Sequence, residues 1–317
     1  MTTVGHKQIN EVEMKIMYTR ILIPLDGSKT AEKVLPYAHY LAGRFKIPVE
    51  LFAVVDIAEM GAQMSAEKAR FLDTMVEDGV RHSTVYLQGV ASTFPDADVK
   101  CTVEKGQAAD AIIERGEADT AMLITMATHG RSGLNRFLLG SIAEKVLRGT
   151  SNALLLVRAT EEAKSAGEAA LKSIIVPLDG SELAESVLPM VVGLAKKLDL
   201  EIELFRAYHI PTSVYAGEDG FYAGNYELLI AGVREEASEY LDNKVTEVKK
   251  LGVAKVSCVT KEGSAGDEII ALGRKTPGGL IAMCSHGRSG VKRWVLGSVA
   301  EIVVRHSGGP VLITRPG

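Results

Sequence analysis

The sequence predicts two tandem α/β domains, each a five-stranded parallel sheet of order 3-2-1-4-5 with helices on both faces. Three observations carry that expectation. First, the chain repeats itself: His129–Leu147 and His286–Val304 align over 19 positions at a constant offset of 157, and 12 of them are identical. Second, within each half, short apolar runs rich in branched residues alternate with stretches of helical periodicity, the pattern of parallel strands joined by right-handed crossovers. Third, repeated polar motifs follow the first and the fourth strand of each half. In open parallel sheets ligands bind beyond the carboxyl ends of the strands, where strand order reverses. Order 3-2-1-4-5 makes strands 1 and 4 neighbours at that reversal, whereas 2-1-3-4-5 would separate them by strand 3.

The elements follow in order. Arg20–Leu25 is a short apolar run and reads as the first buried strand, followed at once by Asp26-Gly27-Ser28. Ala31–Phe45 places Val34, Leu35, Ala38, Leu41 and Ala42 on one helical face. Pro48–Val55 is the second strand, and the region around Ala58–Gly89 carries the longest helix of the half. A third strand is expected at Val99–Val103, a third helix at Ala108–Arg115, a fourth strand at Ala121–Met126, a fourth helix at Ser141–Leu147 and a fifth strand at Ala153–Val157. Thr160–Leu171 is charged, rich in alanine and without an apolar face, so it reads as a linker.

The second half repeats the series with strands at Ser173–Val176, Glu201–Ala207, Lys255–Val259, Leu280–Met283 and Val311–Thr314. Its Pro-Leu-Asp-Gly-Ser follows the first copy at an offset of 153, so four residues are gained before the later motif. They fall in Pro211–Glu227, where Tyr215, Phe221, Tyr222 and Tyr226 cluster among glycines. That stretch reads as a loop packed down by its aromatic residues, with a lid over a ligand as the alternative. The organisation is an extension at 1–17, a first domain at 18–158, a linker at 159–171 and a second domain at 172–317.

Composition narrows the function classes. A hydrophobic fraction of 46% with 24% charged residues is globular, and a net charge of −4 argues against a general nucleic-acid surface. No apolar stretch approaches the length needed to cross a bilayer. Met1–Met17 lacks the basic and apolar segments of a secretory signal and reads as an extension, with Met14 and Met17 as alternative starts. Three cysteines, Cys101, Cys258 and Cys284, have no metal-ligand spacing, which fits a reducing, cytoplasmic compartment. Cys101 and Cys258 are expected as small core residues; Cys284, at a strand end, is the thiol to test for redox sensitivity.

The motif after the fourth strand has the chemistry of a phosphate cradle. Gly130 and Gly133 allow unusual backbone angles and leave amides open. Ser141 stands where a helix N-cap would, and the unpaired amides of a helix start attract anions. Arg131 and Arg136 add positive charge. A carboxylate is a poor neighbour for phosphate, so Asp26 is expected to face the sugar or base, accepting from an amino group or a hydroxyl. The alternative is that Asp26, and likewise Asp179, caps the following helix. His129 and His286 have no carboxylate or nucleophile at a catalytic spacing and read as braces of the loop. No Gly-x-x-x-x-Gly-Lys-Ser/Thr loop and no carboxylate pair for a catalytic magnesium is present, so an efficient ATPase is not indicated.

Pro-Leu-Asp-Gly-Ser after the first strand, with Gly-Arg-Ser-Gly and then Leu-Gly-Ser-x-Ala-Glu after the fourth, resembles the universal stress protein family in its tandem two-domain form. The resemblance covers both halves. Nucleotide-binding members carry Gly-x-x-Gly, nine residues, then Gly-Ser or Gly-Thr; Gly130 with Gly140-Ser141 and Gly287 with Gly297-Ser298 keep the gap, while Ala127 and Cys284 replace the first glycine. If that position needs a positive φ, a side chain there costs roughly 1–2 kcal/mol.

The resemblance implies a Rossmann-like, HUP-type fold and an adenine nucleotide, ATP or else ADP or AMP, with Mg2+ brought by the nucleotide. Asp26, Val54 and Val55 would meet adenine or ribose, Met126 and Ala127 the ribose side, and Gly130, Arg131, Ser132, Gly140 and Ser141 the phosphates. Asp179, Ala207, Cys284, Gly287, Arg288, Ser289, Gly297 and Ser298 would form the second site. Alanine intrudes less than cysteine, so the first site is expected to bind more tightly. The resemblance also implies pairing through the fifth strands, either between the two halves as an intrachain pseudo-dimer or between chains as a homodimer. The function it implies is a nucleotide-binding regulator in stress adaptation. A weak ATP hydrolase or phosphotransferase, and a protein-interaction scaffold without nucleotide, stand as alternatives.

Overall fold

The computed structural model describes residues 18–57, 71–128, 139–158, 169–209, 223–285 and 296–315, with the side chains of 223–227 excepted. Two compact units divide between Ala170 and Leu171.

In unit 1, strands β1 (Ile21–Pro24), β2 (Val49–Val55), β3 (Val99–Lys105), β4 (Leu123–Ala127) and β5 (Leu154–Val157) are all parallel. β1 lies between β2 and β4, with Ile21 opposite both Val49 and Leu123. The order is β3-β2-β1-β4-β5. Ile21, Leu22 and Ile23 are wholly buried, as expected of a central parallel strand covered on both faces.

A 3-10 turn at Ala31–Val34 leads into α1 (Leu35–Phe45), which has a proline in its first turn and ends where Lys46 turns left-handed at φ 59°. α1 and α2 (Leu72–Ala91) pack on β1, β2 and β3. The crossover into β4 reverses direction, and α3 (Ala108–Glu117) packs against α4 (Ser141–Gly149). The 3-10 turn after β1 rests on β4, which brings the first-strand turn to the fourth strand.

Unit 2 repeats the plan. β6 (Ser173–Pro177), β7 (Glu201–Tyr208), β8 (Val256–Glu262), β9 (Gly279–Cys284) and β10 (Val311–Thr314) run parallel, with β6 between β7 and β9. A single helical turn at Glu182–Glu185 precedes α5 (Leu188–Leu198); α6 (Ala223–Lys250), α7 (Ala265–Lys275) and α8 (Ser298–His306) follow.

Three expectations change. The backbone is already helical from Ala223, so the loop expected over Pro211–Glu227 ends sooner, and residues 210–222 lie outside the described ones. Of the helix expected around Ala58–Gly89, the described part is α2, which runs on to Ala91. Cys101 and Cys258 are half-buried rather than in the core, because each stands on β3 or β8, strands paired on one side within their unit.

Candidate functional site

The candidate site of each unit lies at the carboxyl ends of its first, second and fourth strands. In unit 1, Leu25 N–H donates to Phe52 C=O at 2.8 Å, tying the end of β1 to β2. Asp26 follows, and its Oδ1 accepts the N–H of Ser28 at 2.9 Å across Gly27, whose φ of 81° only glycine adopts without strain. Ser28 Oγ in turn accepts the N–H of Ala31 at 3.1 Å. Unit 2 is built alike: Asp179 Oδ1 accepts from Ser181 N–H at 3.0 Å and from its hydroxyl at 2.6 Å, and Ser181 Oγ caps the next turn through Ala184 N–H at 3.2 Å. The helix-cap alternative for Asp26 and Asp179 is thereby corrected. The serines two residues on take the helix amides, because each aspartate is spent on closing the tight turn before them.

At the fourth strand, Thr128 N–H donates to Val157 C=O at 2.9 Å, and Gly140 N–H returns to Thr128 C=O at 2.8 Å. The intervening loop therefore begins and ends at one point. In unit 2, Ser285 N–H donates to Thr314 C=O and Gly297 N–H to Ser285 C=O, both at 2.8 Å. Met126, Ala127, Gly140 and Ser141 are thus brought together in unit 1, as Cys284, Gly297 and Ser298 are in unit 2. Thr128 and Ser285 are buried, and the sequence reading passed over them although they share the offset of 157.

The N-cap expectation for Ser141 is corrected: Gly140 is the cap, with extended backbone at φ −61° and ψ 146°, and Ser141 is the first helical residue. Gly297 and Ser298 are arranged in the same way. Glycine carries no side-chain acceptor, so among the described residues the first-turn amides of α4 and α8 have no side-chain cap. Ala127 and Cys284 end their strands, and the non-glycine residues with positive φ among the described ones are Lys46 and Asp199. The strain expected at Ala127 and Cys284 is therefore absent, leaving side-chain size as the difference between them.

Val54, half-buried, and Val55, buried, close β2, and Val55 C=O accepts Gly106 N–H at 3.1 Å. Ala207 holds the place of Val54 in β7. Gly130, Arg131, Ser132, Gly287, Arg288 and Ser289 lie outside the described residues, as do His129 and His286. No trio of His, Cys, Asp or Glu among the described residues is arranged to hold a metal ion.

A further pair of groups escaped the sequence reading. Tyr86 donates to Glu32 at 3.2 Å, and Tyr240 to Glu185 at 2.7 Å. Burial pushes the Tyr86 phenol above its ordinary range, helped by the negative charges of Glu32 and Asp26. Burial and Glu185 push Tyr240 up, with Asp179 adding to the rise and Arg206 opposing it. Tyr86 and Glu32 thus lie within electrostatic reach of the strand-1 aspartate, and their recurrence near a common offset was the available signal.

The description of the universal stress protein family matches this chain twice, over residues 17–158 and 170–315. The chain belongs to the universal stress protein family. Membership supports a role in the stress response. A universal stress protein of Methanocaldococcus jannaschii is 31% identical over 149 residues, 47% of this chain and 85% of that protein. One from Synechocystis is 31% identical over 151 residues, covering 45% of this chain and 96% of the relative, so a single unit spans nearly a whole relative. Among solved structures, a universal stress protein from Archaeoglobus fulgidus superposes with a TM-score of 0.63 at 18% identity, over 94% of this chain and 99% of that one, which supports the fold. Among the described residues no helix is long and apolar enough to cross a membrane.

Proposed function

We propose that each unit binds an adenine nucleotide, ATP or its di- or monophosphate, and that the chain is a cytoplasmic regulator acting through that occupancy in the stress response. The observation that carries the reading is the duplicated helix start, without a side-chain cap among the described residues and returned by Gly140 or Gly297 to the end of the fourth strand, which pairs with the strand that leads to the aspartate turn. Such amides, with the helix dipole behind them, favour a phosphate. Asp26 and Asp179 would face base or ribose, with Val54 and Val55 or Ala207 behind; Gly130, Arg131, Ser132 and Ser141, and their counterparts Gly287, Arg288, Ser289 and Ser298, would hold the phosphates, any Mg2+ arriving with them. The two units of one chain would serve as each other's partner, which a monomeric mass in light scattering supports and a stable homodimer would replace.

The test is calorimetric titration of ATP into the full chain and into Gly140→Val/Gly297→Val, beside a phosphate-release assay. Valine suits the extended backbone at these positions but places a branched side chain among the amides. Binding to the native chain, lost in the double variant, with phosphate release no faster than background, is the expected result. Rapid release abolished in the variant would make the chain a hydrolase, and no binding at all would leave the scaffold.

A further inference from the structure

Ala53 and Arg206 hold the same place in the two units. Each follows a phenylalanine, Phe52 or Phe205, whose carbonyl accepts the N–H of the residue before the first-strand aspartate at 2.8 Å. In unit 1 the place holds a buried methyl group. In unit 2 it holds a guanidinium on a side chain only 11% exposed.

That guanidinium lies against the aspartate turn. Its Cζ and both terminal nitrogens stand 3.6–3.7 Å from where a Cβ on Gly180 would be, and Gly180 directly follows Asp179. It also lies over the Tyr240 ring, with Cζ 4.7 Å from the ring centroid. Contacts of this kind cover the planar group while its N–H bonds stay in the plane, where a guanidinium presents five donors. Its nearest carboxylate oxygen among the described residues, on Glu236, is 3.7 Å away on a side chain 76% exposed. That is beyond hydrogen-bond length. Because Arg206 packs on Gly180, a donor lies against the turn that carries the acceptor Asp179, and the two act on the Tyr240 hydroxyl in opposite senses. The corresponding Tyr86 hydroxyl donates to Glu32, which an exposed Lys29 also reaches, and no guanidinium covers its ring among the described residues.

We propose that Arg206 sets the base preference of unit 2, so that this unit takes a purine nucleotide with a carbonyl at position 6, of the guanine type, more tightly than the adenine nucleotide it also accepts. The 6-carbonyl oxygen would accept from Arg206, while N1–H and the 2-amino group would donate to Asp179. Unit 1, with the Ala53 methyl group in place of the guanidinium, takes the 6-amino purine. Arginine on the O6 and N7 acceptors is the pairing by which guanine is commonly read, and a good pair discriminates between bases by roughly tenfold or more. This inference rests on the proposal that the strand ends hold the base.

The test is calorimetric titration of ADP and of GDP into the full chain, native, Arg206→Met and Arg206→Lys, with unfolding midpoints recorded for each. Methionine keeps a stem beside Gly180 and Tyr240 but removes every donor; lysine keeps the charge without the planar fork. GDP is expected to fill one site per chain and to bind roughly tenfold more weakly to both variants, with the ADP isotherm at unit 1 unchanged. Equal weakening of ADP and GDP, unchanged GDP binding, or full recovery of GDP affinity by lysine would each overturn the assignment, the last because charge alone would then suffice. Should Arg206→Met fail to fold, the lysine variant decides by the same criteria. ADP binding without any GDP site would remove this inference and leave the adenine reading standing, whereas absence of both would remove the two together.

Discussion

Arg115 Nη2 lies 2.8 Å from Glu50 Oε1, and the Glu50 side chain has no exposure to solvent. Arg20 reaches the other carboxylate oxygen at 2.8 Å, and Thr102 donates at 2.8 Å. Burial alone would push this carboxyl up, but the hydrogen bonds from Arg115, Arg20 and Thr102, with the charge of Arg115, hold it below its ordinary value of 4.5. A lowered pKa in the folded state means stability that is fully present above the unfolded value and is lost as pH falls through the folded one. Unit 1 is therefore expected to lose stability below about pH 4.5 in native chain more steeply than in Glu50→Gln. Glu50→Ala, which leaves two arginines without their acceptor, is expected to cost about 3 kcal/mol in denaturant unfolding followed by hydrogen exchange of unit 1. A loss below roughly 1 kcal/mol would mean the arginines are fully served by water.

Unit 2 has the mirror case. Glu203 stands where Glu50 does, but the places of Arg20, Thr102 and Arg115 are filled by Ser173, Val259 and Leu272. Burial then pushes the Glu203 carboxyl up without opposition. The sign reverses: a raised folded pKa gives stability at low pH that is lost as pH rises from the ordinary 4.5 through the folded value. Glu203→Gln is expected to stabilise unit 2 at pH 7, by on the order of 1 kcal/mol or less since the residue is half-exposed, and to have no such effect at pH 4. Thermal unfolding at the two pH values checks it; a destabilised variant at pH 7 would contradict it.

Ser181→Ala removes both the cap on Ala184 and the 2.6 Å bond to Asp179. Loss of a serine cap costs about 1 kcal/mol, to be read from the midpoint of urea unfolding. The aspartate turn would also lose its brace, so nucleotide affinity at unit 2 is expected to fall while that at unit 1 holds.

ATP is expected to fill unit 1 first, because Ala127 is smaller than Cys284 at the end of the fourth strand. In a two-phase titration, Asp26→Ala would then abolish the tighter phase and Asp179→Ala the weaker. The opposite assignment would end the argument from size.

The strand ends show how far the sequence carried. The repeated Pro-Leu-Asp-Gly-Ser and Gly-Ser words marked Asp26 and Gly140 as partners in one site, and the positions of both motifs pointed to adjacent first and fourth strands, which the pairing of β1 with β4 bears out. The capping roles were misread because serine, aspartate and glycine all occur at helix starts, and which of them takes the cap depends on the turn before it. Tyr86 stands 54 residues from Glu32, and Arg206 on β7 lies over Tyr240 on α6, so neither relation leaves a mark in local periodicity.

By itself the sequence determined the duplication, the alternation of strand and helix, and the family, since each follows from spacing along the chain. Only the tertiary structure decided that Glu50 is matched by two arginines while Glu203 is not, and that a guanidinium stands beside Asp179 where unit 1 has a methyl group. The reason is that a charge's partner is fixed by which strand lies next to which and by where a crossover helix lands, distances set in space and invisible to any window of residues.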